Sequence, residues 1–144
     1  MKKSVVILIA LIYVASIAMV GFLGLKAKSY NDVIYVESIE ILTDYSVDKN
    51  TGKKFIVFES SYASDDSLKL ECRVIPDNAS DKKVLYSLGS DCTNATIDES
   101  GLLTFTADTS KYFSVKVYIH SNQNRTISDE ILIYYVPAGM YRSI

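Results

Sequence analysis

The chain has no tryptophan and, among 144 residues, one histidine (His120), two cysteines (Cys72 and Cys92), two prolines and six glycines. With a single histidine and no H-E-x-x-H motif, no imidazole pair is at hand for a zinc hydrolase. Without C-x-x-C, zinc binding and thioredoxin-like redox chemistry lack their usual ligands. Neither a G-x-S-x-G elbow nor a glycine-rich phosphate loop occurs. The expectation is a chain with no catalytic residue, no metal site and no cofactor. A net charge of −2 argues against a basic nucleic-acid binder, and 49% hydrophobic residues argue against a disordered chain.

Acidic residues are missing from one region altogether. Residues 1–28 hold four lysines and no acid, whereas residues 29–144 hold all 17 acids against 11 basic residues, a net −6. Lys2 and Lys3 precede the uncharged run Ser4 to Leu25, which Lys26 and Lys28 close. As a helix rising ~1.5 Å per residue, that run would reach roughly 33 Å, enough for a hydrocarbon core ~30 Å thick. A cleaved signal peptide has a shorter apolar region and a small-x-small site; here Ala15-Ser16-Ile17-Ala18 has the wrong spacing. Residues 1–28 therefore read as an uncleaved transmembrane anchor and 29–34 as a short linker. The short N-terminus favours a cytoplasmic start and an extracytoplasmic domain, in a single-pass protein of the cell membrane. Small residues at Ala15, Ala18, Gly21 and Gly24 offer a candidate helix-packing stripe, although a three-residue spacing drifts around the helix, and a purely lipid-facing anchor is the plainer reading.

From residue 35 the hydrophobic period is two. Strands are expected at 36–41, 55–58, 67–75, 83–88, 95–97, 102–106, 112–119 and 130–136. In the third, Leu68, Leu70, Cys72 and Val74 alternate with Lys69, Glu71 and Arg73, and Pro76-Asp77-Asn78 ends it. Eight short strands with no amphipathic helix predict an all-β fold, an antiparallel β-sandwich over 35–137 with a tail at 138–144. If the domain lies outside the membrane, Cys72 and Cys92 are a candidate disulfide closing a loop of about 20 residues, worth roughly 3 kcal/mol. The alternative is two separate thiols, one in the core and one in a loop.

Residues Leu68 to Val136 resemble the bacterial group 2 immunoglobulin-like domain. The carrying segments are Leu70-Glu71-Cys72-Arg73-Val74-Ile75-Pro76-Asp77-Asn78-Ala79, then Val84-Leu85-Tyr86-Ser87, then Ala95-Thr96-Ile97-Asp98-Glu99-Ser100-Gly101-Leu102-Leu103-Thr104. These match the family's "L-x-A-x-V-x-P-x-N-A" strand and turn, its tryptophan strand, and its "A-T-V-D-x-x-G-L-V-T" hairpin. Tyr86 stands where the family has tryptophan, so its hydroxyl needs a partner if buried. Residues 43–67 exceed the family's first turn, and 91–94 include about one extra residue. The resemblance implies an immunoglobulin-like sandwich of bacterial surface proteins and adhesins, with no catalytic site.

The remaining candidates follow from side-chain chemistry. Asn78, Asn94 and Asn124 fit the glycosylation sequon; the first two coincide with turn positions of the family pattern, so turn chemistry accounts for those two without sugar. The acid pairs Asp65-Asp66 and Asp98-Glu99 are weak candidates for calcium binding or acid–base work, the second lying in a hairpin turn where acids are ordinary solvated residues. The segment Asp48-Lys49-Asn50-Thr51-Gly52 lacks the alternating acids and terminal glutamate of a calcium loop. On the last strand both faces are apolar, with Leu132, Tyr134 and Val136 opposite Ile131, Ile133 and Tyr135. Tyr118, Leu132 and Tyr134 are the candidate interaction patch, and cross-strand pairing is the plainer explanation of the two tyrosines. The tail from Pro137 could equally cover that patch. The expected function is non-catalytic binding, adhesion or spacing at a bacterial cell surface. The partners would be the membrane and another protein or a cell-envelope glycan, with no nucleic acid. The alternatives are an accessory subunit of a larger membrane assembly and a carbohydrate-binding module.

Overall fold

The computed structural model describes residues 3–29, 32–61, 66–106 and 110–140, with side chains of the N-terminal helix described through Phe22. The chain divides into two compact units, Met1–Val33 and Ile34–Ile144. The first contains α1 (Lys3–Ser29). Within it, Lys3–Phe22 has a mean hydropathy of 2.8 and no buried side chain, so the helix is long and apolar enough to cross a membrane. An amphipathic helix would concentrate its apolar residues on one stripe; here Val5, Ile7, Leu8, Leu11, Ile12, Val14 and Ile17 cover every side. The helix includes Ser29, the first residue expected in the linker.

The second unit is almost wholly β. Its strands are β1 (Ser38–Ile41), β2 (Ser46–Val47), β3 (Lys54–Glu59), β4 (Ser67–Lys69), β5 (Cys72–Ile75), β6 (Val84–Leu88), β7 (Ala95–Ile97), β8 (Leu102–Phe105), β9 (Phe113–Ser121) and β10 (Ser128–Val136). They form a five-stranded sheet in the order β2-β3-β10-β9-β6, a three-stranded sheet β4-β8-β7 and a two-stranded sheet β1-β5. The buried side chains of all three form one apolar cluster. Val115, Val117, Ile119, Ile131, Ile133 and Tyr135 come from the large sheet, and Ile39, Ile41, Val74, Leu103 and Phe105 from the small ones. Fully burying such a side chain contributes roughly 1.5–3 kcal/mol. At one end Phe113 and Tyr135 stack at 4.5 Å between ring centroids, and Phe58 and Phe105 close on them at 4.8–6.0 Å.

Three details depart from the pattern read in the sequence. The expected all-antiparallel pairing fails at β3, which runs parallel to β10 with Leu132 opposite Phe55 and Tyr135 opposite Phe58. A period of two is the same for either direction, so alternation cannot distinguish them. The expected strand 67–75 is two strands in different sheets: β4 pairs with β8 and β5 with β1. The break falls where Leu70 N–H donates to Gly101 O at 2.8 Å, while Glu71 O accepts from Leu42 N–H at 2.8 Å. The in-out alternation runs straight through, with Leu70 and Val74 buried and Lys69, Glu71 and Arg73 exposed. Only the hydrogen-bonding partner changes. The third departure is β2, two exposed residues joined to β3 by the turn at 48–53.

Candidate interaction surface

The outer face of the five-stranded sheet carries the residues expected to form a patch. Because β9 and β10 bury Val115, Val117, Ile131 and Ile133, their alternate residues Ser114, Lys116, Tyr118, Glu130, Leu132 and Tyr134 face outward. Register places Tyr118 opposite Glu130, Lys116 opposite Leu132 and Ser114 opposite Tyr134. Tyr118, Leu132 and Tyr134 therefore share one face and are all half-buried. The two rings belong to separate groups. Tyr118 stacks with His120 at 6.3 Å, and the Lys116 ammonium lies 5.4 Å from its ring centroid. Tyr134 stacks with Tyr112 at 6.2 Å and meets Phe55 edge-on at 5.9 Å. Between them Lys116 and Glu130 approach to 3.6 Å. That carboxylate, and then Tyr118, hold the Lys116 ammonium above its ordinary pKa.

These contacts explain why β10 can be apolar on both faces. It is a central strand, and neighbours on β3 and β9 cover its outer side chains in the manner of cross-strand pairs. Phe55 was not foreseen as a member of this group. Alternation puts Phe55 and Val57 on one side of β3, but the parallel register that sets Phe55 beside Tyr134 is not encoded in that alternation. A hollow of about 320 Å³ lies between Gly89–Cys92 and Ser114, Lys116, Tyr118 and Leu132. A second, of about 470 Å³, is lined by Val47, Asp48, Lys49, Phe55 and Tyr134.

Of the two readings of Cys72 and Cys92, a bridge or two separate thiols, the structure has the second: both are free. Cys72 lies half-buried on β5, where burial raises its thiol pKa. Cys92 sits in the loop after β6, its N–H donating to Gly89 O at 3.0 Å and its Sγ lying 4.0 Å from Ala95 O. That turn ties Cys92 to the large sheet's edge, whereas Cys72 belongs to the β1-β5 sheet. On α1, Ala15, Ala18 and Gly21 are exposed. The surroundings of Gly24 lie outside the described residues.

The acids are spent on local structure. Asp48 accepts from Asn50 N–H at 2.9 Å and Thr51 Oγ1–H at 2.7 Å, closing the β2–β3 turn. Asp98 Oδ1 accepts from Ser100 Oγ–H at 2.7 Å, Leu102 N–H at 3.0 Å and Ser100 N–H at 2.8 Å, and these bonds, the Ser100 hydroxyl's foremost, hold its carboxyl below the ordinary pKa. Asp66 is buried, and its carboxylate accepts from Ser60 Oγ–H and Ser61 Oγ–H at 2.6 Å each and from Tyr135 Oη–H at 2.8 Å. Burial alone would raise its pKa, but the hydroxyl donors outweigh this and hold it low. Asp65 lies outside the described residues. No cluster of three or more potential metal ligands occurs among the described residues. Asn124 Oδ1 accepts from Thr126 N–H at 3.0 Å, a local turn role that the family resemblance implies only for Asn78 and Asn94. No family model matches the chain. No curated protein matches it in sequence.

Proposed function

We propose that this chain is a membrane-anchored extracytoplasmic module in which α1 crosses the membrane. Its β unit is an immunoglobulin-like sandwich of the bacterial group 2 type, serving non-catalytic binding, adhesion or spacing at a bacterial cell surface. The observation that carries the reading is α1 itself: twenty residues, Lys3–Phe22, with apolar side chains exposed on all sides and a mean hydropathy of 2.8. Exposure of that kind is unfavourable in water and favourable in lipid.

The immunoglobulin-like reading draws support from the work done by the motif residues. Leu70, Val74, Ala79, Ala95 and Leu103 are all buried. Gly101 has φ +81°, and a Cβ there would lie 2.6 Å from Leu70 O and 2.7 Å from Tyr86 Cζ. Glycine is thus required both by conformation and by space. Tyr86, in the place of the family's tryptophan, packs against this glycine and points its hydroxyl at Leu70 O, 3.4 Å away. A binding role is favoured over catalysis because the candidate acids Asp66, Asp48 and Asp98 serve the fold, the first accepting from three hydroxyls and the others closing turns. The single histidine, His120, stacks on Tyr118 with its Nδ1 buried and without a hydrogen-bond partner among the described residues.

Protease added to intact cells tests the reading. The β unit should be degraded without lysis, and a full-length chain surviving until the cells are broken would overturn the orientation.

A further inference from the structure

The five-stranded sheet ends at β6, and the hydrogen bonds of that strand show which of its groups are unused. Antiparallel ladders alternate between pairs that exchange two hydrogen bonds and pairs that exchange none. Asn122 N–H donates to Lys83 O at 2.9 Å and Gly89 N–H to Lys116 O at 3.0 Å. With Leu85 opposite His120 and Ser87 opposite Tyr118, residues 83, 85, 87 and 89 direct their backbone groups to β9. The N–H and C=O groups of Val84, Tyr86 and Leu88 point the other way. No strand pairs with this edge among the described residues.

Sheet edges are ordinarily blunted by charge, proline, a bulge or shortness. The run Val84-Leu85-Tyr86-Ser87-Leu88 has none of the first three. The opposite edge of the same sheet is partly covered by β2 and ends on Glu59, and the strands of the two small sheets are three or four residues long. Among the described strands β6 is therefore the longest whose one edge is wholly unpaired and without charge or proline, although β7 lies near it and four of the five residues of β6 are half-buried.

We propose that β6 is the pairing edge for a second copy of this chain, joined antiparallel about Tyr86. The three outward residues are symmetric about Tyr86, so a two-fold axis there sets Val84 opposite Leu88 of the second copy and Tyr86 opposite its own equivalent. All three pairs are of the bonded type, with two hydrogen bonds each. Charge selects the direction. Lys82 and Lys83 precede the strand and Asp91 follows it; Lys83 already meets Glu99 at 3.6 Å, so exposed Lys82 is the cation left to face the Asp91 of a second copy. Antiparallel joining brings the lysines of one copy to the Ser90-Asp91 end of the other, whereas parallel joining sets lysine against lysine. Asp81, which lies nearby, is already engaged by Asn122 Nδ2–H at 2.7 Å and Lys83 N–H at 2.9 Å. In this register Leu85 and Ser87 face each other across the junction as a non-bonded pair, the type with the closer Cα atoms, ~4.5 Å apart.

The test uses the full chain in detergent micelles. Sedimentation should show a reversible dimer. Val84→Pro removes an outward donor at the first strand position, where proline is tolerated and no bond to β9 is lost. It should weaken the dimer at least tenfold. Should Val84→Pro fail to fold, Ser87→Lys at an exposed position decides, since it sets lysine against leucine and should weaken the dimer similarly. In a Cys72→Ala/Cys92→Ala background, Leu85→Cys with Ser87→Cys should give, on mild oxidation, an intermolecular disulfide linking 85 to 87. A wild-type chain that is monomeric at every concentration, a dimer untouched by the edge substitutions, or crosslinks only in another register would each overturn the proposal.

Discussion

Replacing Asp66 by alanine removes a carboxylate on which two parts of the β unit converge, the Ser60-Ser61 segment after β3 and Tyr135 of β10. Its carboxylate receives Ser60 Oγ–H and Ser61 Oγ–H at 2.6 Å, Ser61 N–H at 3.2 Å and Tyr135 Oη–H at 2.8 Å. Its own carbonyl accepts from Phe105 N–H, at the end of β8. Tyr135 has no exposed surface, and Asp66 itself is 5% exposed. Hydrogen bonds to a charged group contribute ~1.5–3 kcal/mol each, and a buried donor left unpaired costs ~1–3 kcal/mol. These terms overlap, and because alanine leaves neutral hydroxyls rather than a buried charge, the loss should total ~3–5 kcal/mol from the hydrogen bonds alone. At about 4 °C per kcal/mol, the Tm should fall by roughly 12–20 °C. Urea and thermal unfolding, followed by near-ultraviolet circular dichroism of the tyrosines, would measure it.

The same carboxylate makes stability depend on pH. Burial pushes its pKa up, the hydroxyl and amide donors more than reverse this, and the folded value lies below the ordinary one. A group lowered on folding adds stability above its unfolded pKa, ~3.9, and that stability is lost as pH falls toward the lower folded value. Asp66→Asn should therefore flatten the acid limb of the stability curve below about pH 4. Tyr135→Phe, which removes one donor, should cost ~1.5–3 kcal/mol, less than Asp66→Ala. An Asp66→Ala protein within 1 kcal/mol of wild type, or an acid limb unchanged in Asp66→Asn, would refute the reasoning.

Gly101→Ala should be severely destabilising, because an added Cβ meets backbone Leu70 O at 2.6 Å in a positive-φ conformation; a protein that folds with an unchanged urea midpoint would contradict this. Tyr86→Phe should lose less than about 1 kcal/mol, since the hydroxyl's bond to Leu70 O is long at 3.4 Å. Both cysteines should react with a thiol reagent after denaturation without reductant. In the folded chain, the Cys72 reaction should follow a thiolate titrating above the ordinary thiol pKa because the group is buried; one unreactive pair would mean a bridge. Tyr134→Ala removes stacking on Tyr112 and an edge contact with Phe55, and urea unfolding should show a loss of about 1–3 kcal/mol.

Much of the fold was visible in the chain because alternation reports burial directly. Val115, Val117 and Ile119 on β9, and Ile131, Ile133 and Tyr135 on β10, are buried as their spacing requires. Hydrogen-bond partnership is another matter. Leu68 to Val74 alternates without a flaw, yet the chain exchanges β8 for β1 at Leu70-Glu71 because backbone pairing leaves no mark on side-chain period. The direction of β3 was hidden for the same reason. On the outer face, the common side of Tyr118, Leu132 and Tyr134 could be read from period two. The division of the rings between His120 and Tyr112-Phe55 depends on register across three strands. In the sequence Asp66 is half of an acid pair, with nothing in its neighbours to mark it as buried. Only the approach of Tyr135 and Ser60 makes it a buried acceptor.

The most direct measurement of the proposed topology is labelling of single cysteines with a membrane-impermeant maleimide in intact cells. Asn50→Cys lies in the exposed β2–β3 turn, and Asn50 contributes only its backbone N–H to that turn's bond with Asp48. Lys2→Cys precedes the apolar run. With Cys72 and Cys92 replaced by alanine, Asn50→Cys should label on intact cells and Lys2→Cys only after permeabilisation. The reverse pattern, or labelling of both only after permeabilisation, would contradict an extracytoplasmic module held by α1.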